Sequence, residues 1–503
     1  MTLGRRLAVV AIALCAGACS SEPTTGSLTD ETLTAMGGAD RVRGIRSYVM
    51  SGGTGTRSRL GQSPSASTPD APAQLANVTE TVDIQNGRVA LAYDITTGGG
   101  FAQSRREVLT RRGGTLVGLE DVGGRPLAVM SAAGLFSWGT QNSPAMTLRR
   151  NPVSIVLAAA GADGGAVTED RVLDGRAVRF GSITSGGEKI GLYFDPQSKL
   201  LAGYETLDTE TMLGDVTARY LLEDYRDVGG VQLPHRIRIE KGGQHYADVQ
   251  FARAAINDIE ALKVFDIPDT ASAQVDEALT AGVDYSPVTL TSIARNVHFA
   301  QAYSHNSLVV EFPSYMAVVE APYTEAQSRT LLKQIERQFR GKPVRYVAVT
   351  HPHFDHTGGV RAMAAAGATI LVARGHEMPL RALIDARHTN PSDDLDSRRA
   401  TGARIGTLLP FDQKHVLSEG DQSLELHAVT GSPHMDPVVI AFVPRTGVLF
   451  QSDLYFPATG APATPAAAHL LQAVRSLGLR VQAHAGGHGG VAPFDEMVKA
   501  VGR

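Results

Sequence analysis

The stretch VTHPHFDHTGGVRAM, residues 349–363, constrains this chain more than any other. It places His351, His353, Asp355 and His356 within six positions, after an apolar run and before a small-residue helix. The cluster leaves a strand end, where the chain turns and several side chains can be aimed into one cleft. Residues two apart in extended chain share a face, so His351 and His353 can grip one ion from the same side, while Asp355 and His356, past the bend, can reach a second. Thr357, Gly358 and Gly359 let a helix start tightly beneath the site. A set of solvated loop histidines is the plain alternative, but such density at this spacing is rare by chance.

Histidine and cysteine usage point the same way. Only His235 and His245 precede residue 298, and the other thirteen histidines lie at or beyond it. Both cysteines, Cys15 and Cys19, fall in an N-terminal address, so the folded part has no disulfide, thiolate nucleophile or thiolate ligand. Any metal site must be built from His, Asp and Glu.

That address is residues 1–19, MTLGRRLAVVAIALCAGAC: a basic pair, Arg5 and Arg6, an apolar stretch from Leu7 to Leu14, and small residues ending at Cys19. It resembles a bacterial lipoprotein signal, with Cys19 as the lipidated first residue of the mature protein; an ordinary cleaved signal with an incidental Cys19 is the alternative. No later segment has the ~18 uninterrupted apolar residues of a membrane span. The expected location is therefore exported and periplasmic, with a membrane contact through lipid at Cys19. Lys and Arg total 47 against 51 for Asp and Glu, a net charge of −4, which gives no basic footprint for nucleic acid.

At 503 residues the chain calls for at least two domains. Residues 20–30 read as a tether, and the tracts 51–74 and 158–166 as flexible loops. KIGLYFDPQSKLLAGYETL is two apolar runs around Asp195-Pro196, a hairpin by its chemistry, and Gly229-Gly230 and Gly242-Gly243 mark further turns. Residues 31–285 thus read as one antiparallel β domain, entered by a short helix near DETLTAMGGADRVRG. It resembles the curved, half-open sheets of periplasmic lipoprotein carriers in the hairpin YFDPQSKLL, the turn Gly230–Pro234 and the closing FDIPD. A concave sheet of that kind holds a lipid or props up its neighbour, and with no reactive constellation in this half the structural role is favoured.

Residues 286–503 alternate strand and helix. SLVVEFPSYMAVVEAP gives two strands around Pro313, and YTEAQSRTLLKQIERQFRG gives a helix with Thr324 as N-cap and Gln327 completing a capping box. The strands VRYVAV and ATILV flank the histidine cluster. This implies a sheet covered by helices.

The six residues 351–356 match the HxHxDH signature of the metallo-β-lactamase superfamily, and further candidates follow in order: His434 in TGSPHMDPVV, Asp453 in GVLFQSDLYFP and His488 in LRVQAHAGGHGGV. The resemblance implies an α+β chain whose C-terminal domain is an αββα sandwich. It implies His351, His353 and His434 on one zinc, Asp355, His356 and His488 on the other, and Asp453 bridging them. His488 is preferred to His484, which lies in the expected strand LRVQAHA. His305, His376, His388, His415 and His427 match no motif and read as surface or supporting residues, and His469 belongs to the helix TPAAAHLLQAVRSLG.

Pro433 before His434, and Glu320-Ala321-Pro322 where Asp-Thr-Gly is usual, depart from the family pattern, so no substrate transfers from a named member. Asp453 stands where one class of true β-lactamases has cysteine, which makes lactonases, thioesterases and phosphodiesterases the nearer likeness. The activity implied is hydrolysis of an ester, lactone, thioester, amide or phosphodiester bond in a small molecule. Two Zn²⁺ ions, with Fe or Mn as alternatives, would hold a hydroxide between them, and Asp355 would orient it or deliver a proton to the leaving group. The segment Pro379–His415 reads as a lid or wall, and Tyr455 as a residue at the substrate or packed. Two other classes stay open: an iron-dependent redox enzyme on the same scaffold, and a non-catalytic lipid-binding lipoprotein.

Overall fold

The structure is a computed structural model that describes residues 23–58, 61–62, 71–97, 102–123, 127–130, 144–164, 168–281, 287–302, 305–460 and 462–502. The signal reading, with Cys15 and Cys19, lies outside the described residues. Among those described, no helix is long and apolar enough to cross a membrane.

The N-terminal half is one 14-stranded sheet in which every neighbouring pair is antiparallel. Local chemistry sets its turns. Asp195 Oδ1 accepts from the backbone N–H of Gln197 and Ser198 at 2.7 and 2.9 Å, closing the hairpin between Glu188–Phe194 and Leu201–Glu210. Gly229-Gly230 and Gly242-Gly243 all take positive φ, as two-residue hairpin turns of mirror-image type require. The helices Thr25–Ala35 and Pro152–Gly161 lay Leu28, Leu33, Ile155 and Val156 onto the sheet, where they join Tyr48, Leu192, Tyr204 and Tyr246 in one core.

Three sequence expectations fail in this half. The tether of residues 20–30 gives way to helix at Thr25, capped by the Thr24 side chain on Ser27 N–H. The loop expected from 51 is strand as far as Arg57, at the centre of the sheet. Its glycines reflect crowding rather than freedom, since a Cβ at Gly55 would lie 1.9 Å from the Asp248 carbonyl oxygen. The loop expected from 158 is helix to Gly161. Its start carried an overlooked signal, Asn151 capping Ser154 N–H with Pro152 in the first turn.

The C-terminal half contains two mixed sheets. One has seven strands, from Thr289–Ala294 to Leu408–Phe411, with Met316–Val319, Val344–Ala348, Thr369–Ala373 and Leu408–Phe411 running parallel. The other has six, from Lys414–Glu419 to Val491–Pro493. Val310, Val319 and Leu371 from the first meet Leu424, Val439 and Phe450 from the second in a shared core. Helices Glu325–Gln338 and Val360–Ala365 cover the outer face of the first sheet, and Pro465–Ser476 that of the second. The expected order of layers, helix, sheet, sheet, helix, is the observed one.

Two details differ from expectation here. Thr324 Oγ1 accepts from Gln327 N–H at 3.1 Å, but the Gln327 amide donates to the His305 carbonyl at 2.9 Å instead of closing a capping box. The segment 379–415 folds as the rest of helix Glu377–Asp385, a helix Asp394–Ala400 and an edge strand. It is tied down by buried Arg361, which donates to the carbonyls of Leu383, Ile384 and Ala386 and pairs with Asp393. Rather than a lid, it is ground on which the N-terminal domain docks: Asp215 accepts from Thr389 N–H and Oγ1, and Thr209 Oγ1 donates to the Asn390 carbonyl.

Candidate metal centre

The site assembles where strands of both C-terminal sheets end. Glu320 follows Met316–Val319, and residues 350–356 follow Val344–Ala348. His434 precedes Val438–Val443, Asp453 follows Val448–Phe450, and His488 follows Ala483–Ala485. The short helix Phe354–Thr357 turns Asp355 and His356 inward. It can approach its support closely only because Gly358 and Gly359 lack Cβ atoms, which would lie 2.2 Å from the Tyr323 carbonyl oxygen and 2.0 Å from Ser328 Oγ.

Among the described residues two donor groups share no member, and a third, Glu320 with His351 and His356, overlaps both. In the first, His351 Nε2 lies 3.0 Å from His353 Nδ1 and 3.2 Å from His434 Nε2. Nitrogens around a tetrahedral zinc at ~2.0–2.1 Å sit about 3.3 Å apart, so this trio fits one ion. In the second, one donor atom from each of His305, Asp355, His356 and His488 lies within 4.8 Å of all the others. Asp453 stands between the groups. Its Oδ2 is 3.3 Å from His434 Nε2, its Oδ1 is 3.4 Å from His488 Nε2, and His356 Nε2 is 3.1 Å away. All seven residues named from sequence therefore come together.

Electrostatics suit cation binding. Burial, reinforced by the neighbouring imidazoles of His356, His353 and His434, holds His351 well below the ordinary histidine range and so neutral. Burial likewise lowers His488, against the opposing pull of Asp453. Burial acts to raise both Asp355 and Asp453, but His356 with His305 outweighs it at Asp355, and His356 with His488 at Asp453, leaving both carboxylates ionised. Burial opposes charge on His356, yet Asp453, Glu320 and Asp355 together hold it well above its usual range. Three carboxylates gathered on one buried imidazole are a cavity that favours added positive charge. His434 and His488 are the partly open members, with side chains 26% and 23% exposed, so solvent reaches the site from their side.

Sequence reasoning missed two contributors. His305, expected among the surface or supporting residues, is buried with its Nε2 3.3 Å from Asp355 Oδ2 and its ring 4.2 Å from that of His488. Its only cue was a place just before the strand Ser307–Glu311. Glu320 is the second. One of its oxygens accepts from Thr350 and Ser452 and the other sits 3.0 Å from His356 Nδ1, so it supports the ligands rather than replacing one. Other residues fall outside the clusters. His484 is buried against Tyr455 and Phe494, and Tyr455 stacks on it with its hydroxyl toward Glu496 instead of facing the cleft. His376 bonds the Pro437 carbonyl, His427 pairs with Glu425, His415 lies beside Phe411, and His469 bonds the Thr430 carbonyl. His388 is buried at the domain contact.

The sequence profile of the metallo-beta-lactamase superfamily matches residues 302–476. The C-terminal region carries a metallo-beta-lactamase superfamily domain. The N-terminal sheet stands outside that match. Among solved structures, the chain is similar to the metallo-beta-lactamase FIM-1 from Pseudomonas aeruginosa in its mono-zinc form, at 19% identity over 43% of this chain and 94% of that one, with a TM-score of 0.32. It is also similar to a metallo-beta-lactamase from Pontibacter korlensis (17% identity, 43% and 98% covered, TM-score 0.32) and one from Hirschia baltica (16%, 43% and 96%, TM-score 0.33). No curated protein matches the chain. The metallo-beta-lactamase domain, with its buried histidine and aspartate clusters, is consistent with a metal-dependent hydrolase.

Proposed function

We propose that the protein is an exported hydrolase holding two zinc ions, which cleaves an ester, lactone, thioester, amide or phosphodiester bond in a small molecule. The observation that carries this reading is the position of Asp453, one oxygen toward the His351/His353/His434 trio and the other toward His488. When bound, such ions supply Lewis acidity and lower the pKa of a water toward ~7. His351, His353 and His434 would hold one ion, and Asp355, His356 and His488 the other, with Asp453 shared. Asp355, held among these donors, would orient the attacking water or deliver a proton to the leaving group. Glu320 keeps His356 turned inward through its Nδ1. The partly exposed edges of His434 and His488 admit the scissile group. Lipid attachment at Cys19 is the reading that residues 1–19 support, and it would place the enzyme on a membrane surface.

The test is metal analysis of full-length protein purified without added zinc, paired with a turnover screen across those bond types on the same sample. Two zincs per chain and chelator-sensitive hydrolysis are expected. Chelator-insensitive hydrolysis, or full activity in a His351→Ala/Asp355→Ala variant, overturns the reading. Resident iron with redox turnover, or co-purified lipid with no hydrolysis, would favour the other two classes.

A further inference from the structure

Asp355 offers two oxygens, and only one of them faces the donor cluster. Oδ2 lies 3.3 Å from His305 Nε2 and 3.8 Å from His356 Nε2. Oδ1 instead accepts from the side-chain amide of Gln62 at 2.5 Å. Gln62 belongs to the other half of the molecule, just beyond the central strand Ser47–Arg57 of the N-terminal sheet, 293 positions before its partner.

The approach is built on both sides of that contact. The Gly61 carbonyl accepts from Phe354 N–H at 3.0 Å, one residue before Asp355. Gly61 takes φ +75°, and a Cβ there would lie 2.8 Å from Met212 Cγ. Met212, on the turn of the N-terminal sheet between Leu201–Glu210 and Gly214–Val228, in turn has its sulfur 3.8 Å from Thr357 Oγ1. Two separate parts of the N-terminal sheet thus grip the helix Phe354–Thr357, which carries Asp355 and His356.

We infer that Gln62 is a positioning residue for Asp355, and that the N-terminal sheet is a structural part of the metal centre because it delivers this amide. The inference rests on the reading of the site as a two-metal centre. A carboxylate ligand can swing about its Cβ–Cγ bond, and an amide fixed on one oxygen commits the other to the ion. The part-buried amide also satisfies an oxygen of a carboxylate that is itself buried. The same arrangement gives the N-terminal sheet a role at the metal centre through the Gln62 amide on Asp355.

The experiment compares full-length wild type with Gln62→Met, which keeps the side chain's length and loses its donor, and with Asp355→Ala as the marker of the second metal step. Each is titrated with Zn²⁺ against a chromogenic chelator and with Co²⁺ followed by its d–d absorption, and metal-free unfolding is measured alongside. In Gln62→Met the step lost in Asp355→Ala should weaken by ~10–100-fold. The other step should stay at its wild-type value and the Co²⁺ band of the second step should shift, while the metal-free unfolding midpoint records separately the stability lost with the hydrogen bond. Unchanged binding and an unchanged band would overturn the inference and leave the metal reading standing. Equal weakening of both steps would also overturn it, since that marks a general loss of structure. Wild-type protein that takes up no Zn²⁺ or Co²⁺ would sink the metal reading and this inference together.

Discussion

Glu320 holds His356 by its Nδ1 at 3.0 Å with both side chains fully buried. The bond leaves His356 Nε2 as the atom that faces Asp453. A carboxylate on one imidazole nitrogen orients the ring and raises the basicity of the other. Glu320 turns inward from a left-handed backbone, φ +68°, at the end of its strand.

Glu320→Gln keeps the volume but removes the charge and one acceptor. Zinc affinity should fall by ~10–100-fold, read by chelator competition. Wild-type affinity in this variant would show that His356 is oriented by its surroundings alone.

Asp453→Ala removes a side chain with one oxygen 3.3 Å from His434 and the other 3.4 Å from His488, one member of each donor group. Hydrolysis should drop by on the order of 10²-fold or more, and zinc content should fall below two per chain. Turnover assays and elemental analysis on the same preparation check both.

His484 sets an acid limit unrelated to the metal. It is fully buried with neither ring nitrogen paired, and burial pushes it down to about 4. The folded protein therefore refuses a proton that the unfolded chain takes near pH 6.5. The stability tied to neutral His484 is whole above pH 6.5 and is lost as pH falls toward 4, on the order of 3 kcal/mol. Urea unfolding of metal-free His484→Phe at pH 7.5 and 4.5 should show a smaller acid loss than wild type.

Gly358→Ala tests the close approach beneath the site. The new Cβ would meet the Tyr323 carbonyl, and Tyr323 N–H donates to the Asp355 carbonyl at 2.9 Å. A backbone obstacle cannot rotate away, so a destabilisation of about 1–3 kcal/mol is expected, with weakened binding of the second ion. A thermal melt and a zinc titration measure the two effects.

What could be read from the chain follows from how local each signal is. The hairpin at Asp195, the cap at Thr324 and the paired glycine turns rest on neighbours a few residues apart, and all appear where read. The tract from Ser51 misled because its glycines answer to Asp248 and Phe251, far along the chain. Gln327 looked like half of a capping box because its spacing was right, yet the His305 carbonyl took its amide.

By itself the sequence determined that residues 351–356 form a dense donor cluster, that His434, Asp453 and His488 are the matching candidates, and that helices cover a layered sheet. The cluster and the layering rest on short spacings and hydrophobic period, which survive in one dimension, whereas His434, Asp453 and His488 are named through the resemblance to the metallo-β-lactamase signature. The convergence of His305, Glu320 and Gln62 on the same few ångströms was decided only by the tertiary structure. A buried carboxylate or imidazole takes whichever polar group packing brings within hydrogen-bond reach, and that group can lie anywhere along the chain.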